Sequence, residues 1–460
     1  MALTRRAFLA RSAAAAMAAT VAPRPSASAV GPQKVVVIGA GLAGLCAAFE
    51  LVNGGHDVSI FEARTRPGGR VHTLREPFAD GLYAEAGAMT ISSSHALSLR
   101  YARLFELRLV DVNAAAGAFI TYINGQRVNR PASARQYFGD ALASASGADA
   151  ADWPPPSLRE YDAITVGELW RRNGASAETL AVLRLGFLGL LGDGIDAVSA
   201  LNALRETGLR LPGDTHYRID GGNDRLPKAF AVRLRERIHY GAPVVHIAHD
   251  HASVQVTVKD GSGLHQLAAD RLVCAVPYTT LRDVEISPAF SPLKQRAIQE
   301  ALSTSVTRTF MQCRTRFWTK DGLSGGAATD LPVTSLGHVT GDQPGPRAIL
   351  ESYTAGAIAR RLAGMPIAER LDFVVDQSSR IFPELRAAFE GGTSVSWGDD
   401  PWSKGAYAWF KPGQLAVLPP RAAEPEGRIH FAGDHTSALP GWMQGALASA
   451  LRVVEEIHHA

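Results

Sequence analysis

The chain has 460 residues, of which 46% are hydrophobic and 20% are charged, and its formal net charge is +3. This composition is typical of a globular protein, and the length predicts two or three domains. The small net charge argues against nucleic acid as the main partner. The three cysteines, Cys46, Cys274 and Cys313, are too widely spaced for a disulfide framework or a zinc site, so each is predicted to be a buried apolar residue. No histidine falls in a metal-ligand spacing, so no metal is expected.

The N-terminus has the three parts of an export signal. Residues 4–9 read TRRAFL, a twin-arginine pattern, and residues 13–21 form a short Ala-rich apolar stretch. Residues 27–29, ASA, are the small residues that precede a cleavage site. The apolar stretch is too short to span a bilayer, so stable membrane insertion is not expected. Residues 1–30 are therefore predicted to be a signal peptide that directs the folded protein to the periplasm or the outside of a bacterial cell.

The first part of the remaining chain predicts a βαβ unit that binds a dinucleotide. Residues 34–38, KVVVI, indicate a buried parallel strand, which leads directly into the glycine pattern of residues 39–44. A helical pattern then runs to about Val52, and a second strand, residues 57–61, ends at Glu62. Gly39 permits the tight turn, Gly41 lets the backbone approach a pyrophosphate, and Gly44 lets the helix pack close to the strand.

The acidic residue at the end of the second strand restricts the choice of dinucleotide. Glu62 lies where a carboxylate can accept hydrogen bonds from ribose hydroxyls, and this disfavours NADP with its 2′-phosphate. The helix N-terminus offers N–H groups and a positive dipole end to the phosphates. This unit alone leaves both NAD and FAD open.

Five further motifs carry a family resemblance. Residues 66–71 read RPGGRV, residues 85–89 EAGAM, residues 219–227 IDGGNDRLP, residues 329–332 TDLP, and residues 427–446 contain GRIHFAGDHT and GWMQGA. With these motifs the chain resembles the flavin-containing amine oxidase family, which includes monoamine, polyamine and L-amino acid oxidases. The resemblance covers nearly the whole chain after residue 30, and the third and fourth motifs are most similar to the L-amino acid oxidase branch.

The resemblance implies an α/β (α+β) fold with a Rossmann-like, glutathione-reductase-type FAD domain and a discontinuous substrate domain. The FAD domain is expected at 31–95, 220–290 and 415–460, and the substrate domain is expected to have a helical part at 96–219 and a mixed-sheet part at 291–414. FAD is expected to be held by Gly39, Gly41, Leu42, Ala43, Gly44, Glu62, Ala63, Gly69, Arg70, Gly87, Ala88, Met89, Val244, Gly433, Asp434, Trp442 and Met443. Because Ala406 stands where monoamine oxidases have their flavin-linked cysteine, the FAD is predicted to be non-covalent.

The resemblance also assigns catalytic residues. Tyr407 and Trp442 are expected to flank the substrate as an aromatic cage in front of the flavin ring. Arg308 stands where the family has a lysine that holds a water near N5; an arginine can orient water, but it does not readily lose its proton. Its alternative role is that of a strand arginine in an ion pair. The expected reaction moves a hydride from the α-carbon to flavin N5, after which the imine is hydrolysed and O2 is reduced to H2O2.

The resemblance implies that the substrate is a small amine or amino acid, and two positions help to decide between these two classes. L-amino acid oxidases use an arginine and a tyrosine to bind the substrate carboxylate; Tyr353 matches the tyrosine, but Thr90 stands in place of the arginine. Arg205 and Arg210 lie in the helical part and are possible replacements. A carboxylate buried without a cation is costly, which favours a primary amine over an L-amino acid. Two alternative functions are left open: an amine dehydrogenase with a periplasmic electron acceptor, and a flavin protein without turnover. A homodimeric state is also left open.

Overall fold

The computed structural model describes residues 31–112, 117–128, 134–146, 153–208 and 213–459. The predicted signal peptide, residues 1–30, and Arg210 lie outside these ranges. Within them, no helix has both the length and the apolar character that crossing a bilayer requires. Cys46, Cys274 and Cys313 are buried and form no disulfide, as the sequence predicts.

A five-stranded parallel sheet carries the predicted dinucleotide turn. Its strands, in spatial order, are Ile238–Tyr240, Asp57–Glu62, Lys34–Ile38, Arg271–Cys274 and Ile429–Phe431. Successive side chains of the central strand point into two different cores, so apolar residues follow one another along it. Val35 and Val37 pack with the helices on one face, and Val36 and Ile38 pack toward a second sheet on the other. The helices of the first face include Leu42–Asn53, Ala96–Leu104, Arg225–Leu234 and Met443–His458.

The sheet on the second face has four strands, of which Val244–His249 and Glu285–Ser287 pair in parallel and the others in antiparallel. Their spatial order is Gly263–Ala269, Val254–Asp260, Val244–His249 and Glu285–Ser287. The short helix Tyr278–Leu281 and the helices Pro292–Glu300 and Leu418–Ala423 contribute side chains to the same core. The predicted combination of a Rossmann-like sheet with further sheets and helices is therefore confirmed.

A seven-stranded mixed sheet forms the second large unit. Its spatial order is Phe389–Ser396, Val306–Cys313, Ala348–Ala355, Ser335–His338, Leu323–Thr329, Ala118–Ile123 and Gln126–Val128. Helices Gly356–Ala363, Ile367–Ser379 and Leu385–Ala388 lie along it. Strand Val306–Cys313 is buried at every position because it is paired on both edges and covered on both faces.

The description of residues 96–219 as helical was incomplete. This segment contributes the last two strands of the seven-stranded sheet, because Ala118–Ile123 pairs in parallel with Leu323–Thr329, about two hundred residues away in the chain. It also contributes two strands of a small sheet, in which His216–Ile219 lies between Ile91–Ser92 and Leu109–Asp111. Among its described residues, the helices Ala141–Ser146, Val166–Arg172, Ala177–Leu183 and Ala200–Gly208 pack around Trp170.

Two two-stranded ribbons connect these units. Thr73–Leu74 pairs with Ala84–Glu85, where the EAGAM motif begins, and Leu302–Ser303 pairs with Ala408–Trp409 directly after Tyr407. Both ribbons therefore hold segments that the sequence assigns to the site.

Candidate active site

One large cavity, of about 1490 Å³, is lined by the parallel sheet, the seven-stranded sheet and the helical layer. With the exception of Gly44, every residue that the sequence predicts to hold the cofactor lines this cavity. The predicted catalytic and substrate-binding residues also line it: Thr90, Arg308, Tyr353, Tyr407 and Trp442. The fold therefore brings together motifs that are separated by more than 300 residues of sequence.

The turn after the first strand leaves room for a pyrophosphate. Helix Leu42–Asn53 begins at Gly41 without a side-chain cap, so its first N–H groups point toward the cavity end of the helix. Gly39 has a φ of 97°, which favours glycine. A Cβ added to Gly41 would meet no atom within 4 Å, so the backbone there is open to a ligand.

Gly44 acts through packing and does not line the cavity. A Cβ at this position would lie 2.0 Å from the Gly39 carbonyl oxygen and 3.2 Å from Ala275 Cβ. The residue therefore sets how closely the helix approaches the turn and the neighbouring strand. Its inclusion among the cofactor contacts is corrected accordingly.

Glu62 is oriented by the backbone around the turn. Its Oε2 accepts a hydrogen bond from Ala40 N at 2.7 Å, and its Oε1 accepts one from Arg64 N at 2.8 Å. Burial raises the pKa of this carboxyl, and the two backbone donors act in the opposite direction. Each carboxylate oxygen has a further lone pair, so Glu62 can still accept ribose hydroxyls. The residues of this end of the cavity fit the adenosine part of FAD, with Val244 lining the same region beside Gly241 and Pro243.

Arg70 joins both ends of the chain at the middle of the cavity. Its Nη1 donates to the Ala406 carbonyl at 2.6 Å, and its Nη2 forms an ion pair with Asp434. The other Asp434 oxygen accepts a hydrogen bond from Gly441 N at 2.8 Å. Although burial opposes ionisation, Arg70 holds the pKa of Asp434 below its usual value. The guanidinium that the sequence assigns to the phosphates thus also fixes the backbone beside Tyr407 and Trp442.

Two aromatic residues lie where these backbone segments meet. The segment around Tyr407 is held by Thr304, which donates its N–H to the Tyr407 carbonyl at 2.8 Å. Trp442 directly precedes the last helix, and its ring lies edge to face with that of His95 at 4.9 Å between centroids. Gly441 has a φ of 81°, and a Cβ there would lie 3.2 Å from Tyr407 Cβ. A larger residue at 441 would therefore disturb the aromatic pair.

The Tyr407 hydroxyl is fixed by two partners. It donates to the Leu190 carbonyl at 2.9 Å and lies 3.1 Å from the Tyr353 hydroxyl. Burial raises the pKa of both phenols, so both are neutral at physiological pH. The two tyrosines provide polar, uncharged edges to a largely apolar part of the cavity.

Arg308 is buried in an ion pair, which was the alternative role considered for it. Its Nη2 donates to Glu351 at 2.8 Å, its Nε donates to the other Glu351 oxygen, and its Nη1 donates to the Gly87 carbonyl at 2.8 Å. Arg308 is 2% exposed, and its guanidinium lies 5.4 Å from the centre of the Tyr353 ring. Whether it also orients a water stays a prediction.

Sequence reasoning missed the carboxylate partners of the cavity arginines. Glu351 and Tyr353 alternate on one strand, and Arg308 lies opposite Tyr353 in the register of the neighbouring strand. The two-residue spacing was a signal that Glu351 shares the face of Tyr353. Arg218 forms a second such pair with Asp342 at 3.1 Å, and no local pattern connects these two residues. Thr90 also lines the cavity.

A family model described as flavin containing amine oxidoreductase matches residues 42–458. The chain belongs to this family. It is 32% identical to the flavin-dependent L-tryptophan oxidase RebO of Lentzea aerocolonigenes, over 93% of this chain and 98% of that protein. It is 27% identical to an L-amino-acid oxidase of Bothrops atrox, over 93% of this chain and 89% of that protein.

A solved structure supports the fold of this amine oxidoreductase. Cyclohexylamine oxidase from Brevibacterium oxydans IH-35A superposes with a TM-score of 0.81 at 22% identity, over 93% of this chain and 99% of that one. The resemblance drawn from the motifs is therefore confirmed. The protein is a flavin-dependent oxidoreductase that acts on CH–NH2 groups.

Proposed function

We propose that this amine oxidoreductase is an FAD-dependent oxidase that deaminates a primary amine. The overall reaction converts R–CH2–NH2, O2 and H2O into R–CHO, NH3 and H2O2. The choice of a primary amine rests on the ion pairing of the cavity arginines. Four arginines among the described residues line the cavity. Each forms an ion pair with a carboxylate of the chain: Arg64 with Asp400, Arg70 with Asp434, Arg218 with Asp342 and Arg308 with Glu351.

The protein contributes orientation and exclusion of water. When bound, FAD would supply the acceptor for a hydride equivalent from the α-carbon of the neutral amine. Tyr407 and Trp442 hold the amine between two aromatic surfaces, and the hydroxyl contacts of Tyr407 with Leu190 and Tyr353 fix the ring in place. The apolar lining keeps bulk water out until the product imine meets a water for hydrolysis.

FAD is proposed to bind without a covalent link. Ala406 offers no thiol, and the three cysteines are buried away from the cavity lining. Burial raises the pKa of each of their thiols to about 12, so none is a nucleophile at neutral pH. Acid precipitation is expected to leave all flavin in the supernatant and a pellet without flavin fluorescence. A fluorescent polypeptide band on a denaturing gel would contradict this.

An L-amino acid oxidase is the second candidate. It is favoured by relatives such as the L-tryptophan oxidase and by Tyr353, which lies in the cavity as the resemblance requires. The two candidates are distinguished with matched substrates, 2-phenylethylamine against L-phenylalanine and 3-methylbutylamine against L-leucine. Anaerobic bleaching of the flavin by the amines, with weak bleaching by the amino acids, is the expected result. A colourless folded protein that takes up no added FAD would end both candidates.

The electron acceptor is tested on the same substrates. We propose O2, so that peroxide forms in step with amine consumption in air. If amine turnover requires an artificial acceptor and peroxide stays absent, the protein is an amine dehydrogenase.

Export by the twin-arginine route is also proposed, on the basis of Arg5 and Arg6 and the apolar stretch that follows them. The expected result is flavin-loaded protein outside the cytoplasm, with retention of an Arg5→Lys, Arg6→Lys variant in the cytoplasm. Equal export of the variant would contradict this route.

A further inference from the structure

Two arginines that line the cavity are neutralised by carboxylates of the seven-stranded sheet region. Glu351 binds Arg308 through both of its oxygens, and both residues line the cavity. Asp342 pairs with Arg218 at 3.1 Å, while Arg218 also donates to the Val339 carbonyl at 2.8 Å. All four side chains are less than a tenth exposed. Their charges therefore act in a poorly solvated part of the molecule.

An unpaired guanidinium in this position would attract a carboxylate. The planar fork of arginine binds carboxylates through two parallel hydrogen bonds, and such bonds are stronger than neutral ones. Arg308 lies directly opposite Tyr353, the tyrosine that matches half of a carboxylate clamp. The chain thus has the components of a carboxylate site, with the cationic component already occupied by Glu351.

We propose that Glu351 and Asp342 are specificity-determining residues, which bind Arg308 and Arg218 and so leave a substrate carboxylate without a cationic partner. The site is thereby reserved for amines that lack a carboxylate. This inference rests on the proposed function and names its substrate class more closely.

Two arguments support a role in selectivity beyond stability. A buried ion pair contributes little stability compared with apolar residues of the same volume, because desolvation offsets the attraction. Arg218, Arg308 and Glu351 also line the cavity, so an incoming carboxylate there meets guanidinium groups whose charge is already neutralised. A substrate carboxylate would have to displace Glu351 or remain buried without a partner, which is unfavourable.

The experiment compares Glu351→Gln and Asp342→Asn with the wild type, all as FAD-loaded full chains. Each variant keeps the size of the side chain and removes the negative charge. The first readout is kcat/KM for L-phenylalanine divided by kcat/KM for 2-phenylethylamine. The second is the dissociation constant of 3-phenylpropanoate, a carboxylate without an amine, measured from the perturbation of the flavin spectrum.

The expected result is a rise of at least about tenfold in the substrate ratio and tighter binding of 3-phenylpropanoate in either variant, as a charge-assisted hydrogen bond becomes available. Glu390→Gln is the matched control, because Glu390 pairs with Arg347 in the same sheet and lies outside the cavity lining. This control is expected to retain the wild-type ratio.

The outcomes separate the inference from the function. If the amines bleach the wild-type flavin but neither variant gains amino acid turnover or carboxylate binding, the inference is overturned and the function stands. If Glu351→Gln does not hold flavin, two other measurements decide the question. They are the substrate ratio of Asp342→Asn and the binding of 3-phenylpropanoate to the wild type, which is expected to be weak. If neither amines nor amino acids bleach the wild-type flavin, the proposed function itself is wrong.

Discussion

Replacement of Arg70 by methionine tests the ion pair that joins the two ends of the chain. The Arg70 side chain is 24% exposed, whereas that of Asp434 is 8% exposed. Arg70→Met therefore leaves a buried carboxylate without its cation, which costs about 3–5 kcal/mol. Asp434→Asn leaves a partly exposed arginine that water can solvate, and the amide oxygen of the new side chain still accepts the Gly441 N–H. We expect this second change to cost about 1–2 kcal/mol.

The double variant completes the cycle. Arg70→Met with Asp434→Asn removes both charges, so it is expected to be more stable than Arg70→Met alone by about 1–3 kcal/mol. Thermal unfolding of the flavin-free proteins measures this order. A loss of about 3 kcal/mol lowers Tm by about 6–12 °C for a cooperative unit of about 150–250 residues.

The same variants report on the aromatic cage. Because Arg70 also holds the Ala406 carbonyl, Arg70→Met is expected to raise KM for amines even when saturated with FAD. If Arg70→Met and Asp434→Asn lose equal stability, and the double variant recovers none of it, the assignment of a desolvated pair is refuted.

Two further predictions concern the flavin end of the cavity. Gly41→Ala is expected to weaken FAD binding but to leave the Tm of the flavin-free protein unchanged, because its Cβ meets only the open space beside the turn. Gly44→Ala is expected to lower both FAD binding and the Tm of the flavin-free protein, because its Cβ would lie 2.0 Å from the Gly39 oxygen. Loss of Tm in both variants, or in neither, would contradict the division between binding and packing. Burial raises the pKa of Glu85 from 4.5 to about 7, so the folded protein keeps the proton on this carboxyl at a pH where the unfolded chain loses it. The contribution of this proton to the free energy of unfolding is fully present below pH 4.5 and is lost as the pH rises through 7. Glu85→Gln is expected to become more stable than the wild type by up to about 3 kcal/mol at pH 8, in denaturant titrations compared with those at pH 5; a difference independent of pH would refute this.

The parts of the molecule that follow from local sequence were predictable. The turn at residues 39–44 is defined by steric requirements of adjacent residues, and the strand that follows the helix, Asp57–Glu62, ends at the predicted acid. Helix Val166–Arg172 also follows from local sequence, because the Thr165 side chain accepts the Glu168 N–H and so caps its first turn.

The parts that depend on pairing between distant segments were not predictable. Strand Ala118–Ile123 lies among Ser- and Ala-rich residues, and its place in the sheet depends on Leu323–Thr329. The partner of Arg308 depends on the register between two strands, and that of Arg218 on a loop more than a hundred residues away. The sequence therefore identified Arg308 as a site residue but did not show that it forms an ion pair with Glu351.

The order of the strands has a consequence for biosynthesis. The parallel sheet receives its edge strand, Ile429–Phe431, and the helix Met443–His458 from residues that are synthesised after residue 420. A nascent chain that has emerged only to residue 420 contains the adenosine half of the cavity but neither Asp434 nor Trp442. Because Asp434 and Trp442 line the cavity, flavin retention is expected to require this later segment, and a ribosome-stalled chain that has emerged only to residue 420 is expected to retain no flavin.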